Sequence, residues 1–324
     1  MNALLFLLAV LALVLLGLAW FTHRTARRIE QFLPAKGQFV EVPGGRLHVR
    51  VHDSAAAGAP AVLLVHGLGG QMSHFDYGLA ERLARQYRVV VVDRPGSGHS
   101  LRDALHAADV SAQADALAVL IDKLDLGRPT VVGHSLGGAI ALALAVEHPE
   151  AVGALALVAP LTHTPESAPE VFKALTIETR WVRTLFAWTL ATPGAIAGSK
   201  KVLAQVFAPE PVPADFAVKG GGLLSLRPKQ FLAASSDLQA IPARMPMVEA
   251  RYGELKLPVG VLYGRQDAIL DWKKNGQGLV DRVAGAQLEL VEGGHMLPVT
   301  QPEVTAAFVE RIAGSHAVRA AAAR

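Results

Sequence analysis

A chain of 324 residues can bury a full hydrophobic core, and α/β enzymes of this length often form one domain with an insertion. Apolar residues make up 51% and mean hydropathy is +0.32, high for a soluble enzyme, with part of the excess at the very start. The net charge of +3 comes without a long basic run interleaved with aromatics, which leaves nucleic-acid binding unsupported. The absence of cysteine excludes disulfides, thiolate metal sites and a cysteine nucleophile.

Residues 1–22 contain no charged side chain, and positions 3–21 are almost wholly Leu, Ala, Val and Phe. A bilayer core of roughly 30 Å needs about 20 apolar residues in a helix, so this run is long enough to span. It ends in His23, Arg24, Arg27 and Arg28. We expect a transmembrane anchor over residues 1–23 and a linker over 24–37. The flanking arginines place the rest of the chain in the cytoplasm by the positive-inside rule. The alternative is a signal peptide cut near Gly17-Leu18-Ala19, which would leave the protein secreted or periplasmic. Signal peptides, however, carry a basic start and a shorter apolar core. A buried core helix fits less well, because the run has no polar face.

Strands and helices then alternate. Gln38–Val42 and residues 46–52 read as a hairpin turned at Pro43-Gly44-Gly45. Residues 54–60 form a loop. Ala61–Val65 and Arg88–Val92 are short Val-rich runs bounded by turn signals, as buried parallel strands are. Residues 77–86 have helical spacing between them. A helix over 110–124, a strand over 129–132, a helix at Leu136–Glu147 and a strand over 153–158 follow. Two later strands, 259–263 and Gln287–Val291, come with helices near 272–283 and 302–312. Such alternation predicts an α/β fold with a mostly parallel sheet covered on both faces. Residues 161–254 break the rhythm and have the size of a helical insertion. The Ala-rich end, 315–324, reads as a disordered tail.

Gly133-His134-Ser135-Leu136-Gly137 matches G-x-S-x-G between a strand and a helix. A turn this sharp strains its central residue, and flanking glycines remove side-chain clashes. The serine hydroxyl then stands at a helix N-terminus, where N–H groups and the dipole favour developing negative charge. The pattern is common, so its placement gives it weight. His66-Gly67-Leu68-Gly69-Gly70 directly follows the strand Ala61–Val65. Alone it reads as a plain turn. Paired with the elbow, it can supply the Leu68 N–H as one oxyanion donor, with Leu136 N–H as the other.

A serine nucleophile needs a histidine base, and the base needs a carboxylate to fix its tautomer. Most of the 12 histidines have no such context, but His295 follows the last strand in Glu292-Gly293-Gly294-His295. Asp267 follows the strand before it, in Gly264-Arg265-Gln266-Asp267. Both fall at carboxyl ends of strands, where α/β sheets place their sites. Asp271 is a competing acid but is placed to cap the next helix, and residues 159–164 offer no carboxylate.

At these residues the chain resembles the α/β-hydrolase superfamily, in its form with a cap inserted after the sixth core strand. The matching motifs are HGLGG at His66, DRPGSGHS from Asp93, GHSLGG at Gly133, YGRQD ending at Asp267 and GGH ending at His295. The resemblance implies a sheet of about eight strands, with core segments over 38–160 and 255–314 flanking the cap. It also implies hydrolysis without metal or cofactor, through a covalent intermediate on Ser135 with His295 as base and Asp267 as its orienter. Relatives that dehalogenate or open epoxides usually carry Asp at the elbow, and Ser135 disfavours those reactions. By the same comparison His66 and Asp93 are structural.

Substrate choice is expected to lie in the cap, where Phe172, Trp181, Phe186 and Trp188 either line an apolar acyl site or pack the cap onto the sheet. An enzyme tethered at a bilayer meets lipophilic carboxylic esters, monoacylglycerol among them, and these are the expected substrates. Carbon–carbon bond hydrolysis and acyl transfer use the same triad and stay open as alternatives. So does a membrane-tethered ligand-binding module without catalysis.

Overall fold

A computed structural model describes residues 2–54, 56 and 58–322. Met1, two residues of the expected 54–60 loop (55 and 57) and the end of the expected tail (323–324) lie outside the described residues. The chain opens with α1 (Asn2–Phe32), then runs β1 (Gln38–Val42), β2 (Gly45–His52), β3 (Ala61–Val65), α2 (Leu79–Leu83) and β4 (Arg88–Val92). A two-residue strand, β5 (Leu101–Arg102), pairs with β2, and α3 (Val110–Lys123), β6 (Thr130–His134), α4 (Leu136–Glu147) and β7 (Ala154–Val158) follow. The helices α5 (Arg180–Phe186), α6 (Thr192–Phe207) and α7 (Pro228–Glu249) fill the stretch before β8 (Val259–Gly264). The chain closes with α8 (Gly278–Val280), β9 (Gln287–Val291), α9 (Leu297–Thr300) and α10 (Pro302–Ala322).

The long strands lie in the order β1-β2-β4-β3-β6-β7-β8-β9. Both pairings of β2, with β1 and with β4, are antiparallel, and every neighbour from β4 to β9 is parallel. Burial on both faces explains the continuous Val/Leu runs, since alternate residues of one strand enter opposite layers. In β3, Leu63 and Val65 pack into the layer of α3, α4 and α7, while Val62 and Leu64 pack into that of α2 and α10. The chain leaves β3 toward β4 on one side and β6 toward β7 on the other. The gap between β3 and β6 is therefore the switch point, where ligands of α/β sheets bind.

The elements differ from the sequence reading at several places. The helix expected near 272–283 is a π turn at Lys273–Gln277 followed by the short α8, and the strand expected over 129–132 runs on to His134 as β6. The expected linker 24–37 is helical as far as Phe32, because the buried Thr22 and Ile29 and the half-buried Thr25 and Ala26 lie on one face of α1. The expected disordered tail is helical through Ala322, as a continuation of α10. The helix foreseen over 77–86 shrinks to α2, which starts after Gly78 in a left-handed conformation at φ 106°.

Candidate active site

Four loops meet at the carboxyl edge of the sheet. His66–Gly70 follows β3, Ser135 joins β6 to α4, Asp267 follows β8 and His295 follows β9. Ser135 sits at φ 54°, ψ −122°, a conformation L-residues avoid and one that costs of order 1–3 kcal/mol. Its backbone is held on both sides: Ser135 N–H donates to Val158 O at 3.1 Å, and Ser135 O accepts from Gly138 N at 2.8 Å and Leu161 N at 2.9 Å. The side chain points into a gap that glycine keeps open. A Cβ on Gly67 would stand 2.8 Å from Ser135 Cβ, and one on Gly137 would meet Val65 O at 2.3 Å. Leu136, as the first residue of α4, has an N–H with no acceptor inside the helix.

His295 Nδ1 donates to Asp267 Oδ2 at 2.7 Å, which leaves Nε2 as the acceptor nitrogen. The other carboxylate oxygen of Asp267 accepts from Ile269 N at 2.8 Å and Leu270 N at 2.9 Å, so the fully buried acid has no freedom to turn. Asp271 instead accepts from Lys273 N at 2.9 Å, a local cap away from His295. The acid and histidine loops are stitched to each other by Gln266 N to Gly293 O at 2.9 Å and Gly293 N to Gln266 Oε1 at 2.6 Å. His134, next to Ser135, donates from Nε2 to His295 O at 3.0 Å, and the two rings lie 5.0 Å apart. Burial, reinforced by the neighbouring His295, pushes the His134 imidazole well below 6.5 and keeps it neutral.

The supporting layer is polar and closed. His66 accepts Arg94 N at Nε2 (3.0 Å) and donates from Nδ1 to Gly67 O (2.9 Å). Burial, then the Arg94 charge, drives its pKa well below 6.5. Arg94 is fully buried and donates to His66 O at 2.9 Å, Gly67 O at 3.0 Å and Asp237 of α7 at 2.8 Å. Asp237 also accepts from Arg102 at 2.6 Å. Asp93 binds His48 Nδ1 at 2.8 Å, Met72 N at 2.9 Å and His99 N at 2.9 Å. Burial alone would raise its carboxyl; these donors outweigh burial and hold it below the usual range.

Two residues at the site had no local sequence signal. Glu210, just after α6, accepts from Gly294 N at 3.0 Å and so braces the His295 loop from 84 residues away. Gln230 of α7 accepts from Gly98 N at 2.9 Å and donates to Gly70 O at 3.3 Å. The four cap aromatics divide. Phe172 packs partly buried against the core, and Phe186 stacks at 5.3 Å on Phe231. Trp181 is 70% exposed and Trp188 41%, so neither is buried between cap and sheet. Leu68 is half-buried in the turn closed by Gly70 N to Gly67 O at 3.2 Å. Among the described residues no three His, Cys, Asp or Glu side chains converge as a metal site.

A family model described as the alpha/beta hydrolase fold matches residues 60–302. The chain belongs to the alpha/beta hydrolase fold family. Within it, the chain is 27% identical over 294 residues to an uncharacterized protein of Mycobacterium bovis, covering 85% of this chain and 80% of that one. A thermophilic esterase from Thermogutta terrifontis superposes with a TM-score of 0.67 at 25% identity, over 86% of this chain and 100% of the esterase. A membrane phospholipase A, described as a bacterial virulence factor, superposes at 0.63, also at 25% identity, over 96% and 97%.

Proposed function

We propose that this alpha/beta hydrolase cleaves lipophilic carboxylic esters through an acyl-enzyme on Ser135, while α1 tethers it to a membrane. The observation that carries the reading is the strained Ser135 at the β6–α4 turn, beside a buried His295–Asp267 pair at the same sheet edge. In this reading His295 Nε2 takes the Ser135 proton as Oγ attacks the ester carbonyl. Asp267 stabilises the imidazolium through the Nδ1–H bond. The N–H groups of Leu136 and Leu68 hold the oxyanion, each contributing about 3 kcal/mol to lowering the barrier. His295 returns the proton to the departing alcohol, then deprotonates the water that releases the acid and regenerates Ser135.

Two similarities support a lipid-like ester. The esterase and the membrane phospholipase A are both ester-cleaving by name. The match to the phospholipase leaves about 13 residues of this chain uncovered, fewer than the 31 residues of α1, so it takes in part of that helix. Positions 3–21 of α1 are apolar and stand clear of the fold along most of their surface, as an anchor's do. The reading predicts that Ser135→Ala abolishes labelling by a fluorophosphonate probe and turnover of p-nitrophenyl esters, with the wild type preferring longer acyl chains. Unchanged labelling in the variant would sink it.

A further inference from the structure

The lower half of α1 is not a free stalk. Thr22 and Ile29 are buried and Leu15, Leu18, Ala19, Thr25 and Ala26 half-buried, a spacing of three and four that marks one packed stripe. The stripe docks on the π-helical turn Ala187–Ala191, which joins α5 to α6, and on the turn Gly222–Leu226. Thr22 Oγ1 reaches Thr189 O at 3.5 Å, and Glu30 pairs with Arg227 at 3.3 Å and Lys229 at 3.5 Å. The uncharged run ends at Thr22. Thr189 therefore lies level with the boundary between the apolar and the charged parts of α1.

The side chains around Thr189 suit that depth. Trp188 and Leu190 flank it, 41% and 48% exposed, and Trp181, Leu185 and Trp188 share one outward face. Ile196 and Val202 continue the exposed apolar surface along α6. In α1 itself, the Arg24 guanidinium lies 5.5 Å from the Trp20 ring, an aromatic–basic pair of the kind found at headgroup level. Residues 180–209, which are α5, the π turn, α6 and two residues beyond, hold four cations (Arg180, Arg183, Lys200, Lys201) and no carboxylate, and Arg24, Arg27 and Arg28 follow the apolar run of α1. Exposed apolar and aromatic residues interspersed with cations form the composition of a surface that binds anionic lipid.

We infer that the outer face of α5, the π turn and α6 is a lipid-contact surface seated in the headgroup layer of an anionic bilayer. It is held there by its docking on α1. The inference rests on the anchor reading of α1. It gives the cap a task that a tether alone does not. Glu210, in the loop that follows α6, touches the His295 loop, so the lipid-facing helix is tied to the candidate site through that loop.

Because the chain has no cysteine, single-cysteine labelling is clean. The full chain carrying Leu185→Cys, or Asp122→Cys at the opposite end of the sheet, is labelled with an environment-sensitive fluorophore. Each is reconstituted in phosphatidylcholine vesicles with and without phosphatidylglycerol, with headgroup spin-labelled lipid as quencher. Unchanged hydrolysis of a short soluble ester by Leu185→Cys shows that the variant is folded. The expected result is quenching at position 185 several-fold stronger than at 122, and stronger still with phosphatidylglycerol. If the chain floats with vesicles through an alkaline wash but both labels report water, the anchor stands and the lipid-contact surface is overturned. If the chain does not float, the anchor reading fails and this inference falls with it. If the unlabelled Leu185→Cys chain cross-links efficiently between copies, and the label at 185 is shielded from water without quenching by spin-labelled lipid, the face is a dimer interface and the inference is overturned.

Discussion

The carboxyl edge of the sheet and the outer face of the cap are built on opposite rules. Around Ser135 the backbones approach so closely that a single added methyl at Gly67 or Gly137 collides with a neighbour. On α6, Gly194 and Gly198 have nothing within 4 Å of where a Cβ would stand. Polar groups follow the same division. The edge holds buried imidazoles, a buried arginine and three buried aspartate side chains whose partners are nearly all accounted for. The cap face instead leaves tryptophan, leucine and isoleucine in the open. Close backbone packing of this kind fixes side-chain positions to within fractions of an ångström, whereas an open helix face imposes no such precision; a catalytic edge and a lipid-contact face, as proposed, would differ in just this way.

That contrast is broken most directly by Asp267→Asn. The amide keeps the shape of the acid but cannot hold the His295 tautomer or offset an imidazolium, so kcat should fall about 10⁴-fold with the fold intact. Steady-state turnover of a p-nitrophenyl ester, with circular dichroism as the fold control, decides it; a loss under tenfold would remove Asp267 from the mechanism.

The next effect is on stability in acid. Burial lowers His74 to about 4 from the ordinary 6.5, and His66 and His134 lie lower still than the ordinary value for the same reason. Between pH 6.5 and 4 the unfolded chain takes up protons that the folded chain refuses. The stabilisation is therefore complete above pH 6.5 and is lost as pH falls, by about 2 kcal/mol from His74 alone at pH 5. Denaturant unfolding of the detergent-solubilised chain at pH 7.5 and pH 5 measures this. Equal midpoints would contradict the buried, neutral imidazoles.

The smallest test is a matched pair of glycine substitutions. Gly67→Ala should push Ser135 off its position and reduce kcat about 100-fold. Gly198→Ala, the same added methyl on the cap, should leave kcat unchanged and raise stability by about 0.5–1 kcal/mol. Similar effects at both positions would erase the distinction between the two regions.

How much could be read from sequence follows the same line. Strands β1, β3, β4 and β9 were legible to the residue, because Val/Leu runs end sharply at Gly, Pro and charged residues. Ser135, Asp267 and His295 were legible as strand-end residues, since a strand followed by a turn is a local pattern. What escaped depends on distant partners. Residues 24–32 are charged enough to read as a linker, yet they stay helical, with Ile29 buried and Glu30 paired with Arg227, 197 residues away. The π turn at Ala187–Ala191 adds a residue to one helical turn without any compositional mark. Glu210 looked like any loop carboxylate until the fold placed it on Gly294.

Arg94 has a mechanical consequence. One guanidinium grips both the carbonyls of the glycine loop below and the Asp237 carboxylate of α7 above. Lifting α7 would leave Arg94 and Arg102 without their shared counter-ion in a dry interior, at a cost of about 3–5 kcal/mol. That end of the roof is therefore riveted to the glycine loop beside Ser135, and its position sets the floor of the site as much as its ceiling.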